Sequence, residues 1–305
     1  MSEEFHRRGF LRSALFGAAA ASLPTSVCLA NAKFEFEISL NERSLARALT
    51  EKKADHLDLA RIAKVDLGIS AVEYSSKFFR DNARDSKYLD AMNASAAEHG
   101  VRQLLIMVDD EGRIADADAT KHRQAIANHR KWVDVARSLG CHSIQLDPTS
   151  SGEADEQQQR AGAGLAELCQ YAAMQKINVL LGNYGGVSAS ATWVVAVSKD
   201  VNSPCCGTLP QIGKLTTDQD YANLAPMIPL AKGLTARTQE FNGMGREKHT
   251  DYMRAVKVVQ QAGYRGYVGI HYAGNEPDEM AGIRATKSLL ETVRGSMGQD
   301  ANGGQ

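Results

Sequence analysis

Apolar positions along this chain follow two periods that take turns. Phe34, Phe36, Ile38 and Leu40 recur every second residue, the pattern of a strand with one buried face. Leu104-Leu105-Ile106-Met107-Val108 is a continuous apolar run, the mark of a strand buried on both faces. Further short strand patterns fall at 71–74, 143–146, 178–181, 207–209, 233–238 and 267–270. Helical spacing fills the intervals, at 57–67, 86–99, 118–139, 156–175, 191–198, 218–230, 251–262 and 281–294. Asp118 and Asp251 stand where N-caps belong, and Gly100, Gly140 and Gly263 where helices stop.

Eight strands alternating with eight helices imply βαβ units on a parallel sheet, and in this length they predict a (β/α)8 TIM barrel of the α/β class. An open doubly wound sheet is the competing fold. It would favour a Gly-rich phosphate turn after the first strand, and Asn41-Glu42-Arg43-Ser44 is no such turn.

The first residues have a different character. Arg7-Arg8 precede an Ala-rich apolar run and then Ala30-Asn31-Ala32, an A-x-A cleavage pattern. The arginine pair predicts export to the periplasm by the twin-arginine route, with a signal peptide over 1–32 and a mature chain from near Lys33. The apolar run is too short to span a bilayer, so no membrane span is expected after signal removal. The barrel is expected over 33–294, with a polar, Gly-rich, disordered tail over 295–305.

Thirty-five basic residues balance 36 acidic ones, and no segment is strongly basic, which argues against a nucleic-acid partner. Cys141, Cys169, Cys205 and Cys206 show no C-x-x-C spacing, so buried free thiols are expected, with a disulfide left open for an exported chain.

Active sites of such barrels lie at the C-terminal ends of the strands. The strand ends therefore nominate Glu73, Asp109, Asp110, Asp147, Asn183, Tyr184, Gln211, Arg237, Glu240 and His271. Gly269 and His271 share a face, as do Thr235 and Arg237, and Ala71 and Glu73. Small residues one layer below polar ones place that face in the barrel mouth. The Asp109-Asp110-Glu111-Gly112 run reads as a solvated loop.

The strings GISAVEY, LLIMVDDEGRI, NVLLGNYGG, CGTLPQIG and HTDYMRAVKVVQQAGYRGYVGIHYAG resemble the xylose-isomerase-like barrels of the sugar phosphate isomerase/epimerase superfamily. The resemblance runs from about His56 to Arg294. It implies a TIM barrel acting on a small-molecule sugar or sugar derivative, often with a divalent metal such as Mn²⁺, Mg²⁺ or Zn²⁺. Metal-dependent relatives place Glu, Asp, His and Glu at the ends of strands five to eight. Here Gly182, Gln211, Arg237 and His271 match those positions. Glycine offers no ligand and arginine is a permanent cation, so no metal cofactor is expected and the metal site is read as degenerate.

The reading from these residues is an exported enzyme of the sugar isomerase/epimerase or keto-sugar lyase/hydrolase type, acting by acid/base chemistry without the metal. His271 and Glu73 are the acid/base candidates and Arg237 the oxyanion partner. Asn183, Tyr184, Gln211 and Glu240 are the substrate-binding candidates. The competing reading is a non-catalytic sugar-binding pseudoenzyme with the same barrel. A metal-dependent nuclease of the same superfamily is disfavoured by the balanced charge and the few histidines.

Overall fold

The computed structural model describes residues 36–300; the expected signal peptide and 301–305 lie outside them. Nine parallel segments make one sheet: β1 (Glu37–Asn41), β2 (Ala71–Ser75), β3 (Arg102–Met107), β4 (Ser143–Leu146), β5 (Asn178–Leu181), β6 (Cys206–Thr208), β7 (Gln211–Ile212), β8 (Leu234–Thr238) and β9 (Tyr267–Tyr272). Their order is β6-β5-β4-β3-β2-β1-β9-β8-β7, so the two edges of the sheet are β6 and β7. Only Leu209 and Pro210 separate those edges in sequence. The Leu209 N–H donates to the Leu181 carbonyl at 2.8 Å, and the Pro210 carbonyl accepts from Thr235 N–H at 2.9 Å. The stretch 206–212 thus pairs with β5 by its first half and β8 by its second, closing the TIM barrel with eight strand positions. Proline has no N–H to donate, which is why this strand breaks where it changes neighbours. Gln211, expected beyond the sixth strand, lies inside it for the same reason.

Alternation along the strands sorts the side chains. Leu40, Val72, Ile106, Ile144, Val179, Leu234, Val268 and Ile270 face outward and join the helices in one large core. Leu105, Met107, Leu180 and Leu209 face inward and form a separate apolar plug inside the barrel. The long helices are α1 (Ser86–Glu98), α2 (Ala119–Ser138), α3 (Ala154–Met174), α4 (Ala191–Val201), α5 (Tyr252–Gln261) and α6 (Glu279–Asp300). Carboxylate caps open three of them: Asp85 accepts from Lys87 and Tyr88 N–H, Asp118 from Thr120 and Lys121, and Asp251 from Arg254.

Two expected helices are broken pieces. The first divides into short turns over His56–Asp58, Leu59–Arg61 and Ile62–Asp66. The other divides into Asp218–Ala222 and Ala225–Leu230, where Pro226 and Pro229 prevent a continuous ladder. The final helix, expected to end at Arg294, runs on through 295–300, and the rest of the expected tail, 301–305, lies outside the described residues. Among the described residues, no helix is long and apolar enough to cross a membrane.

Candidate functional site

The floor of the barrel mouth is built around Glu73. It stands on the inner face of β2, in register with Asn41 of β1, and is 1 % exposed. Ser39 Oγ donates to its Oε1 at 2.6 Å and Asn41 Nδ2 to its Oε2 at 3.1 Å. Both partners come from β1, two residues apart and therefore on one face. On the other side of β1, Gly269 of β9 makes the room: a Cβ there would lie 2.3 and 2.4 Å from the two carboxylate oxygens. Burial pushes the Glu73 carboxyl up to about 7; the Ser39 and Asn41 bonds and the nearby Arg43 charge pull the other way but less. The group therefore titrates in the neutral range, where a general base is most useful.

His271 follows Gly269 by two residues on β9 and is in register with Arg237 of β8. Burial, with the charges of Arg43 and Arg237, depresses its imidazole to about 3. His271 is thus neutral at ordinary pH, a hydrogen-bonding group and not a cation. Arg237 is half-buried, and among the described residues its guanidinium has no hydrogen-bond or ion-pair partner. Thr235, one layer below, has a buried hydroxyl that is also unpartnered. Glu73, Arg237 and His271 therefore share the inner face, but they do not hydrogen-bond to one another. Glu73 sits one layer beneath the other two.

A second charged group lines the rim. Arg43 Nη2 bonds Asp109 Oδ1 at 2.5 Å, and Ser75 Oγ donates to Asp109 Oδ2 at 2.8 Å. The Asp109 N–H donates to Ser76 Oγ at 2.8 Å, and Arg80 donates to the Asp109 carbonyl at 2.6 Å. Arg43 and Asp109 line a cavity of about 490 Å³ with His271, Lys77, Phe78 and Asn275, a volume suited to a monosaccharide-sized ligand. The reading of Asp109–Gly112 as a solvated loop is corrected here. Asp109 is held by four groups, and Glu111 is buried against Lys131 and the Trp132 N–H. Asp110 and Gly112 are the exposed positions of the run.

The remaining candidates divide. Asn183 spends both ends of its amide on the Gln211 backbone, accepting from its N–H at 2.7 Å and donating to its carbonyl at 3.4 Å. Its first role is to tie β5 to the split strand. Glu240 is exposed on a loop beyond β8, paired with Lys248 at 3.1 Å and facing His249 at 3.9 Å. That pair belongs to the surface, because two solvated charges on one loop are satisfied there. Tyr184 turns its ring back over Gly182, and among the described residues its buried hydroxyl has no partner. Burial raises its ionisation well beyond the usual range. Arg43 opposes the shift, and the charges of Glu73, Asp109 and Asp147 add to it.

The residues at the strand ends do not suit a divalent metal. Gly182 has no donor, and the space above its Cα is filled by the Tyr184 ring, which a Cβ would meet at 2.1 Å. Gln211 offers one neutral oxygen, Arg237 a positive charge and His271 a single imidazole. Hard cations prefer several carboxylates. Among the described residues, no group of three or more His, Cys, Asp or Glu side chains is placed to hold a metal.

Sequence reasoning missed Ser39, Asn41, Arg43 and Ser75. A signal for the first two was present: they alternate with Ile38 and Leu40, so they lie on the face opposite the apolar one. Arg43 carried none, because its partner Asp109 is 66 residues away.

The xylose isomerase-like TIM barrel family matches residues 60–292, and the chain belongs to that family. None of the curated proteins matches the sequence. Solved structures share the fold at low identity. An IolI protein with a bound zinc atom is 13 % identical, with a TM-score of 0.70 over 86 % of this chain and 99 % of that one. An L-ribulose 3-epimerase is 13 % identical, with a TM-score of 0.68 over 88 % and 97 %. The 3-keto-D-glucoside 4-epimerase YcjR of E. coli is 14 % identical, with a TM-score of 0.66 over 85 % and 100 %.

Proposed function

We propose that this member of the xylose isomerase-like barrels is an exported enzyme that isomerises, epimerises or cleaves an oxidised sugar, such as a keto-sugar, by acid/base chemistry without a divalent metal. The observation that carries the reading is the Glu73 carboxyl. It is buried on the floor of the mouth, held by Ser39 and Asn41, and raised to about 7. A buried carboxylate kept in this range at a strand end is suited to removing a proton next to a carbonyl.

In the proposed step, a sugar lies above Glu73 with its carbonyl oxygen toward Arg237. Glu73 takes the proton from the carbon next to the carbonyl. The C–H electron pair becomes the C=C bond of an enediolate, and the carbonyl π pair moves onto oxygen. The developing negative charge meets the unpartnered Arg237 guanidinium, and neutral His271 moves a proton between neighbouring oxygens. Return of the carbon-bound proton to a different face or carbon gives the epimer or the isomer. The 3-keto-D-glucoside and L-ribulose epimerases among the fold's solved structures support sugars as the substrate class. The Arg7-Arg8 pair and the Ala-rich run after it support export to the periplasm.

The test is to incubate chelator-treated protein in D₂O with a panel of keto-sugars and aldoses and to follow the products by NMR. Conversion with solvent deuterium at the carbon next to the carbonyl supports the reading. Binding by thermal shift without conversion across the panel points to the pseudoenzyme instead.

A further inference from the structure

Tyr184 is an anomaly of the fold. Its ring lies so close to Gly182 that any side chain there would overlap it, with a Cβ 2.1 Å from Cε2, 2.4 Å from Cζ and 2.7 Å from Cδ2. Glycine at 182 is thus the condition for Tyr184 to fold inward. Its hydroxyl is then buried, yet among the described residues it finds no hydrogen-bond partner. The buried hydroxyls of Tyr252 and Tyr264 both donate to backbone carbonyls, at 2.9 Å to Arg237 and at 2.6 Å to Tyr267. A buried hydroxyl without a partner is destabilising, so the fold tolerates at Tyr184 what it avoids at the other two.

The surroundings place the hydroxyl. Tyr184 follows β5, but the charges that act on it come from Arg43 after β1, Glu73 on β2, Asp109 after β3 and Asp147 after β4. The ring lies over Gly182, two residues beyond inward-facing Leu180, and the charges come from the ends of four successive strands, so the hydroxyl lies toward the barrel axis, at the mouth. Burial keeps it protonated, so it acts as a donor and not as a base.

We infer that the Tyr184 hydroxyl is a substrate-binding donor that gives its hydrogen bond to an acceptor oxygen, the carbonyl or carboxylate of an oxidised sugar, held over Gly182. The inference rests on the sugar reading above and adds to it. Among the described residues Tyr184 and Arg237 are both donors without partners, so the mouth favours a carbonyl or carboxylate, a stronger acceptor with no proton of its own to place, over the hydroxyl of the corresponding polyol.

The experiment compares wild type, Tyr184→Phe and Gly182→Ala. Loss of the hydroxyl is expected to weaken binding of the best keto-sugar in the panel about 2- to 12-fold, the range for one neutral hydrogen bond. It is expected to leave the affinity for the matching alditol unchanged. The melting temperature of ligand-free Tyr184→Phe should equal or exceed that of wild type, because an unsatisfied hydroxyl has been removed. Gly182→Ala should weaken keto-sugar binding in the wild-type background and add nothing in a Tyr184→Ala background, where no ring occupies the space. Keto-sugar binding retained in full by Tyr184→Phe overturns the inference alone. So does a fall in its melting temperature of about 3 °C or more, which would assign the hydroxyl a partner within the fold. Wild-type protein that binds no panel member overturns the sugar reading, and this inference with it.

Discussion

Two carboxylates near the ends of the first two strands are equally buried and differently employed. Glu42, fully buried, accepts from the Ser75 N–H at 2.8 Å and faces His56 Nε2 at 3.1 Å. The other ring nitrogen of His56 meets the Tyr88 hydroxyl at 2.9 Å, and Phe79 stacks on its ring at 4.9 Å. Burial pushes Glu42 up and His56 down to about 4, so both are held neutral, and among the described residues Glu42 Oε1 and His56 Nε2 face each other without a hydrogen bond. His56 packs against Tyr74, Phe79 and Tyr88, away from the inner face of the barrel. Glu73 is raised by the same physics, but it lies in a mouth where Arg237, Thr235 and Tyr184 keep unspent donors. Burial alone therefore does not mark a site. Nor do unpartnered buried atoms alone, since Glu42 Oε1 and His56 Nε2 are among them; a place on the inner face toward the mouth does.

The largest expected effect belongs to the mouth. Glu73→Gln should lower turnover by about 10²- to 10⁴-fold, the range for loss of a general base. The same substitution should change stability in a pH-dependent way. The folded state holds the Glu73 proton more firmly than the unfolded chain. Its contribution is therefore complete below the unfolded value of 4.5 and is lost as pH rises through about 7. The difference is on the order of 3 kcal/mol. Urea unfolding should show Glu73→Gln equal to wild type near pH 4 and more stable by up to that amount at pH 8. A variant with the same pH slope as wild type would mean that Glu73 ionises normally.

Glu42→Ala should do the opposite. Removing its side chain leaves the buried Ser75 N–H without an acceptor and opens a cavity, destabilising the fold by about 3 kcal/mol. Turnover per folded molecule should persist, measured at a temperature where both proteins are folded. Loss of chemistry with the fold intact would erase the contrast between the two carboxylates. His271→Ala is expected to lower turnover about 10²-fold with little change in melting temperature, because a residue at the mouth makes few core contacts. The smallest expected signal is a null one. Elemental analysis of purified protein should find no stoichiometric Mn²⁺, Mg²⁺ or Zn²⁺, whereas near one metal per chain, lost on His271→Ala, would contradict the acid/base account.

The barrel was legible because two periodicities survive in the sequence. Alternation along 34–40, the apolar run 104–108 and capping aspartates such as Asp118 each act locally, so residue order alone reveals them. The split at Pro210 was not legible, because it depends on which neighbour each half of the strand meets. The site was half legible. Glu73, Arg237 and His271 could be placed on one face by parity, but their depth could not. That Glu73 lies beneath His271 follows from the space over Gly269, a relation between strands 196 residues apart in number (73 to 269). Gly182 appears from sequence as a missing ligand. Its physical reason, the ring of Tyr184, is a packing fact that no spacing encodes. Asn183 and Glu240 had suitable chemistry at suitable positions, and the fold used the first for its backbone and the second for its surface.

The most direct measurement is a ¹³C NMR titration of the glutamate carboxyls in chelator-treated, ligand-free protein, with Glu73 assigned from its absence in Glu73→Gln. The expected result is one carboxyl titrating near pH 7 that moves when a keto-sugar binds. A Glu73 signal titrating near 4.5, unaffected by every sugar tested, would contradict the account.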